Sequence, residues 1–203
     1  MVAAGEPSPE IGSDELKGFY SPVCDHPLET CLSFGEEASY YIEKGIARQV
    51  TQEEALSILE RSVEEGMILQ SAFTKDSEII CSCHGDCCGI LGTYQAIGVE
   101  GCETASCFRN NSNYILNYDE DACIKCGMCA ERCPMFAITM DEESGLPVVD
   151  ARCMRCGQCG MVCPAGARTL AAKPAEKRLE LPDNLLEDYN LQAAYRFDHG
   201  DIY

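Results

Sequence analysis

Cys123-Ile124-Lys125-Cys126-Gly127-Met128-Cys129-Ala130-Glu131-Arg132-Cys133-Pro134 places four thiols at Cys-x2-Cys-x2-Cys-x3-Cys-Pro spacing. Thirty residues on, Cys153-Met154-Arg155-Cys156-Gly157-Gln158-Cys159-Gly160-Met161-Val162-Cys163-Pro164 repeats that spacing. Three close cysteines bend a backbone around one cubane iron–sulfur cluster, and the fourth leaves on the next helix toward the neighbouring cluster. The pattern assigns Cys123, Cys126, Cys129 and Cys163 to one [4Fe-4S] site. It assigns Cys153, Cys156, Cys159 and Cys133 to the other. Zinc also favours paired Cys-x2-Cys, but a four-ligand zinc site has no use for a third evenly spaced thiol and a Cys-Pro exit.

The two runs belong to a longer internal duplication. Glycine follows the second thiol in both copies, at Gly127 and Gly157. After the prolines come Met135-Phe136-Ala137-Ile138 and Ala165-Gly166-Ala167-Arg168, then the apolar runs Ile138-Thr139-Met140 and Thr169-Leu170-Ala171. The expected unit is loop, short helix and strand, used twice with pseudo-twofold symmetry. On these residues the segment resembles the bacterial two-cluster ferredoxins, and the resemblance implies one-electron transfer.

The chain has 203 residues, 16 Cys, no Trp and a formal charge of −19. So many thiols suggest a secreted disulfide scaffold, but the first residues lack the basic and apolar regions of a signal peptide. No apolar stretch approaches membrane-spanning length. The expected setting is a reducing, anaerobic cytoplasm. The acidity argues against nucleic acid and anionic membranes as partners, and suits docking onto a basic protein face in a hetero-oligomeric redox complex. Most of the charge lies outside the cluster segment, where Lys125, Arg132, Arg152 and Arg155 flank the thiol loops. Positive charge there favours the reduced, more negative cluster, although each of these side chains also reads as an ordinary solvated cation.

Upstream, Glu36 to Arg48 reads as a helix with Ala38, Tyr41, Ile42 and Ile46 on one side. Thr51-Gln52-Glu53-Glu54 reads as a capping box opening a second helix, with Ala55, Leu56, Leu59 and Val63 as its stripe and Gly66 as its C-terminal stop. A hairpin of Met67–Phe73 and Glu78–Ser82 follows. Helix, helix and hairpin would also suit a winged-helix sensor, but no basic recognition helix is present.

The hairpin runs into Cys81-Ser82-Cys83-His84-Gly85-Asp86-Cys87-Cys88. Alternation on a strand puts Cys81 and Cys83 on one face, and Gly85-Asp86 is a turn signal that returns Cys87 or Cys88 toward them. Cys81, Cys83, Cys87 and Cys88 are the candidate ligands of a third cluster, with Cys24, Cys31, Cys102 and Cys107 in reserve for it or for a fourth. A structural zinc held by these thiols and His84 is the alternative; free thiols are the bland reading.

From Cys24-Asp25-His26-Pro27-Leu28-Glu29-Thr30-Cys31 through the hairpin to Ser112-Asn113-Tyr114, the chain also resembles anaerobe 4Fe-4S binding proteins in which a cysteine-dense strand precedes a dicluster domain. This implies electron transfer within redox complexes. The chain departs from that group at His84 and Asp86, where further cysteines are usual.

The expected class is α+β: an extended arm (1–20), a helical and hairpin cysteine-rich module (21–117), a ferredoxin-like dicluster domain (118–172) and a C-terminal tail (173–203). The tail, with Pro174, Pro182, Tyr189, Tyr195, Phe197 and Tyr203, is too polar for its own core and is expected to wrap the domain, lie along a partner or stay disordered. No nucleotide fingerprint, P-loop or Ser/His/Asp set is evident, so no catalytic residue is assigned. The expected role is a non-catalytic electron-transfer subunit. The competing roles are an enzyme subunit with an open, substrate-binding N-terminal cluster, and a redox or metal sensor.

Overall fold

Two antiparallel ribbons and a five-stranded sheet meet on one core that runs from the hairpin thiols to the duplicated loops. The computed structural model describes residues 2–4, 26–27, 29–72, 74–86, 88–97 and 112–199. In chain order the first elements are β1 (Val2–Ala4), β2 (Leu32–Ser33), α1 (Gly35–Glu43), β3 (Ala47–Gln49), α2 (Gln52–Glu64), β4 (Ile68–Ser71), β5 (Ile79–Cys83) and α3 (Gly89–Ile97). Strands β1 to β5 form a sheet of order β3-β1-β2-β5-β4 with every pairing antiparallel.

Helix α2 forms where the capping box placed it. Thr51 Oγ1 accepts the Glu54 N–H at 3.2 Å, and Gly66 ends the helix at φ +88°, a conformation that penalises a side chain with Cβ. Its buried positions are Ala55, Ile58 and Ser62, while Leu56 is exposed. The apolar stripe is therefore rotated from the expected one. Leu32, Val50, Ala55 and Ile58 form this module's core, with Phe34, Leu59 and Ile80 against it.

Helix α1 is shorter than expected. Gly45, at φ +68°, turns the chain after Lys44, and the residues expected to finish the helix become β3. Ile42 and Ile46 are accordingly exposed. Helix α3 was not expected. Cys88 precedes it, and the N–H groups of Leu91 and Ile90 bond the Cys88 sulfur, which stands in for a hydroxyl or carboxylate cap.

The remaining elements are β6 (Tyr114–Tyr118), α4 (Met128–Glu131), β7 (Ile138–Met140), β8 (Pro147–Val149), α5 (Gln158–Met161), β9 (Arg168–Ala172) and α6 (Leu185–His199). Strand β6 pairs with β9 from Tyr114↔Ala172 to Tyr118↔Arg168, and β7 pairs with β8. The duplication is written in the backbone. Left-handed residues recur at the thirty-residue offset as Lys125 and Arg155, Gly127 and Gly157, and Phe136 and Gly166. Each short helix starts directly after its left-handed glycine.

The expected boundary at 117/118 falls inside both a strand and a core. Strand β6 crosses it, and the core of Ile68, Leu91, Cys133, Met135, Ala137, Ile138 and Cys159 takes residues from both sides. Polar contacts fasten the same junction. Arg132 Nη2 donates to the Val63 and Glu64 carbonyls at 2.6 Å each, satisfying orphan acceptors at the end of α2. Gln158, buried, accepts from Arg132 Nε at 3.1 Å and donates to Met67 O at 2.7 Å.

The tail wraps back. Lys75 N–H and Asp76 N–H donate to the carbonyls of Pro182 and Asp183, Lys75 Nζ lies 2.6 Å from Asp183 Oδ1, and the Asn113 side chain makes two bonds to Leu179. Beyond it, α6 is a helix rather than a shapeless segment, opened by Asn184 Oδ1 accepting the Glu187 N–H. Leu186, Tyr189, Leu191 and Phe197 are exposed along it.

Candidate metal centres

Two cavities mark the duplicated loops. One is lined by Cys123, Cys126, Cys129 and Cys163 together with Ile124, Met140, Pro147 and Arg168. The other is lined by Cys133, Cys153, Cys156 and Cys159 together with Leu116, Ile138 and Met154. Each cavity combines three thiols of its own loop with the last thiol of the other copy, the crossed arrangement that the spacing predicts. The loop thiols converge because Lys125 and Arg155 adopt left-handed φ near +57° and +56°, at about 1–2 kcal/mol each for a residue with Cβ. A Cβ at Gly157 would lie 2.9 Å from Leu170 Cδ2, so the Leu170 side chain would have to shift.

The sulfurs sit among N–H donors and one buried cation. Ala137 N–H donates to Cys133 Sγ at 3.3 Å. The Cys123 thiol is held below its usual range, first by the Tyr118 hydroxyl donating to it, then by the Lys125 N–H, with the Arg168 and Lys125 charges adding. Burial pushes Cys156 up to about 11 and Cys159 up to about 12, the latter against the pull of Arg168. Burial alone would therefore keep these thiols protonated, and a metal held here would have to displace their protons.

Arg168 was not foreseen as a site residue. It is 3% exposed, lies over the Tyr118 ring with its guanidinium carbon 4.5 Å from the centroid, and reaches the Pro147 carbonyl at 3.4 Å. Its Nε is buried without a hydrogen-bond partner. A buried guanidinium with an orphan donor on a thiol-lined wall calls for an anionic group in the cavity. The residues present therefore fit a [4Fe-4S] cluster with its four thiolates, which carries net negative charge. The duplication offered a signal: Arg168 falls thirty residues after Ile138, a buried apolar position in the first copy. The flanking cations also make contacts away from the thiols. Arg132 braces α2, Arg152 pairs with Asp150 at 2.5 Å, and Lys125 Nζ donates to the Ser144 carbonyl at 2.7 Å.

A third group of thiols forms around the hairpin. The register Leu32↔Ile80 and Ser33↔Ile79 sets Cys31 across from Cys81, and Cys81 and Cys83 share a strand face. Cys88 N–H bonds the His84 carbonyl, turning the chain so that Cys88 returns to Cys83. The sulfurs contact in a chain, Cys31 to Cys81 to Cys83 to Cys88. Hydrogen bonding along it raises Cys31 and Cys83, which keep their protons, and lowers Cys81 and Cys88. Cys83 and Cys88 also pack on the core that holds Cys133 and Cys159. Thus the turn signal at Gly85-Asp86 returns Cys88, and Cys31 is the reserve thiol that joins. Cys24, Cys87, Cys102 and Cys107 lie outside the described residues.

Two thiol-lined cavities on a duplicated loop, helix and strand define a ferredoxin-type iron–sulfur domain. The family model of the 4Fe-4S dicluster domain matches residues 117–170, which implies 4Fe-4S clusters, with residues 1–116 and 171–203 outside the match. No curated protein matches the chain.

Proposed function

We propose that this chain is an iron–sulfur electron-transfer subunit that relays single electrons to or from a catalytic partner in an anaerobic redox complex. The observation that carries this reading is the crossed sharing of Cys133 and Cys163 between two adjacent cavities. Cys123, Cys126, Cys129 and Cys163 would hold one [4Fe-4S] cluster, and Cys153, Cys156, Cys159 and Cys133 the second. Bound there, such clusters supply one-electron reduction and oxidation with little change of shape.

The protein's own share is ligation, insulation and docking. Cys133 and Cys159 are buried, whereas Cys126 is exposed. The first loop is therefore the contact edge, where Ile124 and Met128 are exposed beside Cys126. Behind the second cavity, Cys31, Cys81, Cys83 and Cys88 would hold a further metal centre against the shared core, so the three thiol groups form one series from surface to hairpin. Exposed apolar side chains on α6 and the net charge of −19 support a partner with a basic, partly apolar face. Among the described residues no helix is long and apolar enough to cross a membrane.

Anaerobic EPR of the dithionite-reduced protein tests this reading. Two interacting reduced-cluster signals are expected, and Cys126→Ala should remove one and abolish electron delivery to an artificial acceptor. A protein that gives no reduced-cluster signal after anaerobic purification would refute it.

A further inference from the structure

One ligand group among the described residues contains no sulfur. The imidazoles of His26 and His84 and the carboxylate of Asp86 bring their ligand atoms within 4.8 Å of one another. Asp86 Oδ1 lies 2.8 Å from His84 Nδ1, and Asp86 Oδ2 lies 3.4 Å from His26 Nε2. The imidazole rings are 4.3 Å apart at 34°. Both histidines are mostly covered, at 17% and 15% side-chain exposure, while Asp86 is 40% exposed. The group is therefore walled on its imidazole side and open to solvent at the carboxylate.

We propose that His26, His84 and Asp86 bind a single divalent transition-metal ion of the zinc or ferrous class, at a site separate from all three thiol groups. Imidazole nitrogen with one carboxylate suits such borderline ions, whereas iron–sulfur clusters take thiolate. A tetrahedral ion about 2.0–2.1 Å from its nitrogen and oxygen ligands holds those atoms roughly 3.4 Å apart. His26 Nε2 already stands at that separation from Asp86 Oδ2, whereas His84 Nδ1 faces the other oxygen, Oδ1, so the exposed carboxylate must rotate to present one oxygen to both. Two neutral imidazoles and one carboxylate leave the ion with net positive charge. Among the described residues three side chains offer ligands, and the exposed carboxylate side has room for water or a small oxygen-donor anion.

The supports of these ligands are built into the fold. His84 directly follows Cys83 at the end of β5, and the next residue, Gly85, donates its N–H to the Pro134 carbonyl at 3.0 Å. The Phe136 ring meets His84 edge-on at 5.8 Å. The ion would thus stand beside the hairpin thiols and next to the Cys133-Pro134 exit. Without metal, the two imidazoles would simply stay beside the Asp86 carboxylate, with the Asp86 N–H 3.4 Å from His84 Nδ1.

Zinc titration of the anaerobically purified, cluster-loaded full chain, followed by zinc K-edge X-ray absorption, decides between the two. The expected result is one tightly held zinc per chain with a nitrogen and oxygen shell at about 2.0–2.1 Å, and no loss of iron or sulfide. Asp86→Asn and His26→Ala should each weaken zinc binding at least tenfold with iron and sulfide unchanged. A sulfur shell near ~2.3 Å, failure to retain zinc, or unaltered affinity in Asp86→Asn overturns the assignment. The absorption measurement needs no variant, and Asp86→Asn keeps the size of an exposed side chain, so neither depends on a variant that misfolds.

Discussion

Replacing Arg168 by Leu should lower the reduction potential of the group held by Cys123, Cys126, Cys129 and Cys163. Arg168 lines that cavity, is 3% exposed, and its Nε is buried without a hydrogen-bond partner among the described residues. For a residue on the cavity wall, taking a charge–cluster separation on the order of 7 Å and an effective dielectric near 20, the Coulomb energy is about 2.4 kcal/mol. Adding an electron there is favoured by that amount, and a one-electron couple moves about 59 mV for each 1.4 kcal/mol. The expected drop is on the order of 100 mV, smaller for the cluster on Cys153, Cys156, Cys159 and Cys133. Redox titration monitored by EPR reads both potentials. Because the cation is buried, the shift should persist at high salt, unlike that of a surface charge. Arg152→Leu is the control, since Arg152 is already paired with Asp150. If Arg168→Leu moved neither potential by more than about 10 mV, the guanidinium would be too screened to act on the site, against the low-dielectric reasoning.

Other outcomes follow from the junction and the hairpin. Arg132→Ala removes two 2.6 Å bonds to the end of α2 and one to Gln158, and should cost about 2–4 kcal/mol, read as a lower denaturant midpoint of the loaded protein. In Gly85→Ala the new methyl would run into the Pro134 carbonyl and the Gln95 amide, so a loss of at least about 2 kcal/mol is expected, with amide exchange rising first across 79–88. Cys83→Ala or Cys31→Ala should lower the metal content of the chain while leaving about eight irons on the duplicated loops. Unchanged total metal in both variants would dismiss a thiol site at the hairpin.

How much was legible in the sequence depended on how local each constraint is. The duplicated loops were legible because metal ligation dictates thiol spacing, and both cavities gather the predicted thiols. Helix α2 was legible through Thr51 and Glu54. The end of α1 was misread because Ile46 continues the apolar period, whereas Gly45 breaks the backbone. Helix α3 was missed: it contains Gly89 and Gly92, poor helix formers, and its cap is a cysteine. The Asn184 and Glu187 signal for α6 was present but lay in a polar tail without a clear period. Cys31 joins Cys81 only through the long-range pairing of β2 with β5, and Arg168 becomes central only when the fourth thiol of each copy crosses over. Neither fact can be read from neighbours in the chain.

Iron, zinc and acid-labile sulfide measured on the same anaerobically purified sample test the central claim most directly. The account predicts at least about eight irons and eight sulfides per chain, in equal numbers within the dicluster domain. Zinc in the duplicated loops with no labile sulfide, or cysteines there joined as disulfides, would contradict it.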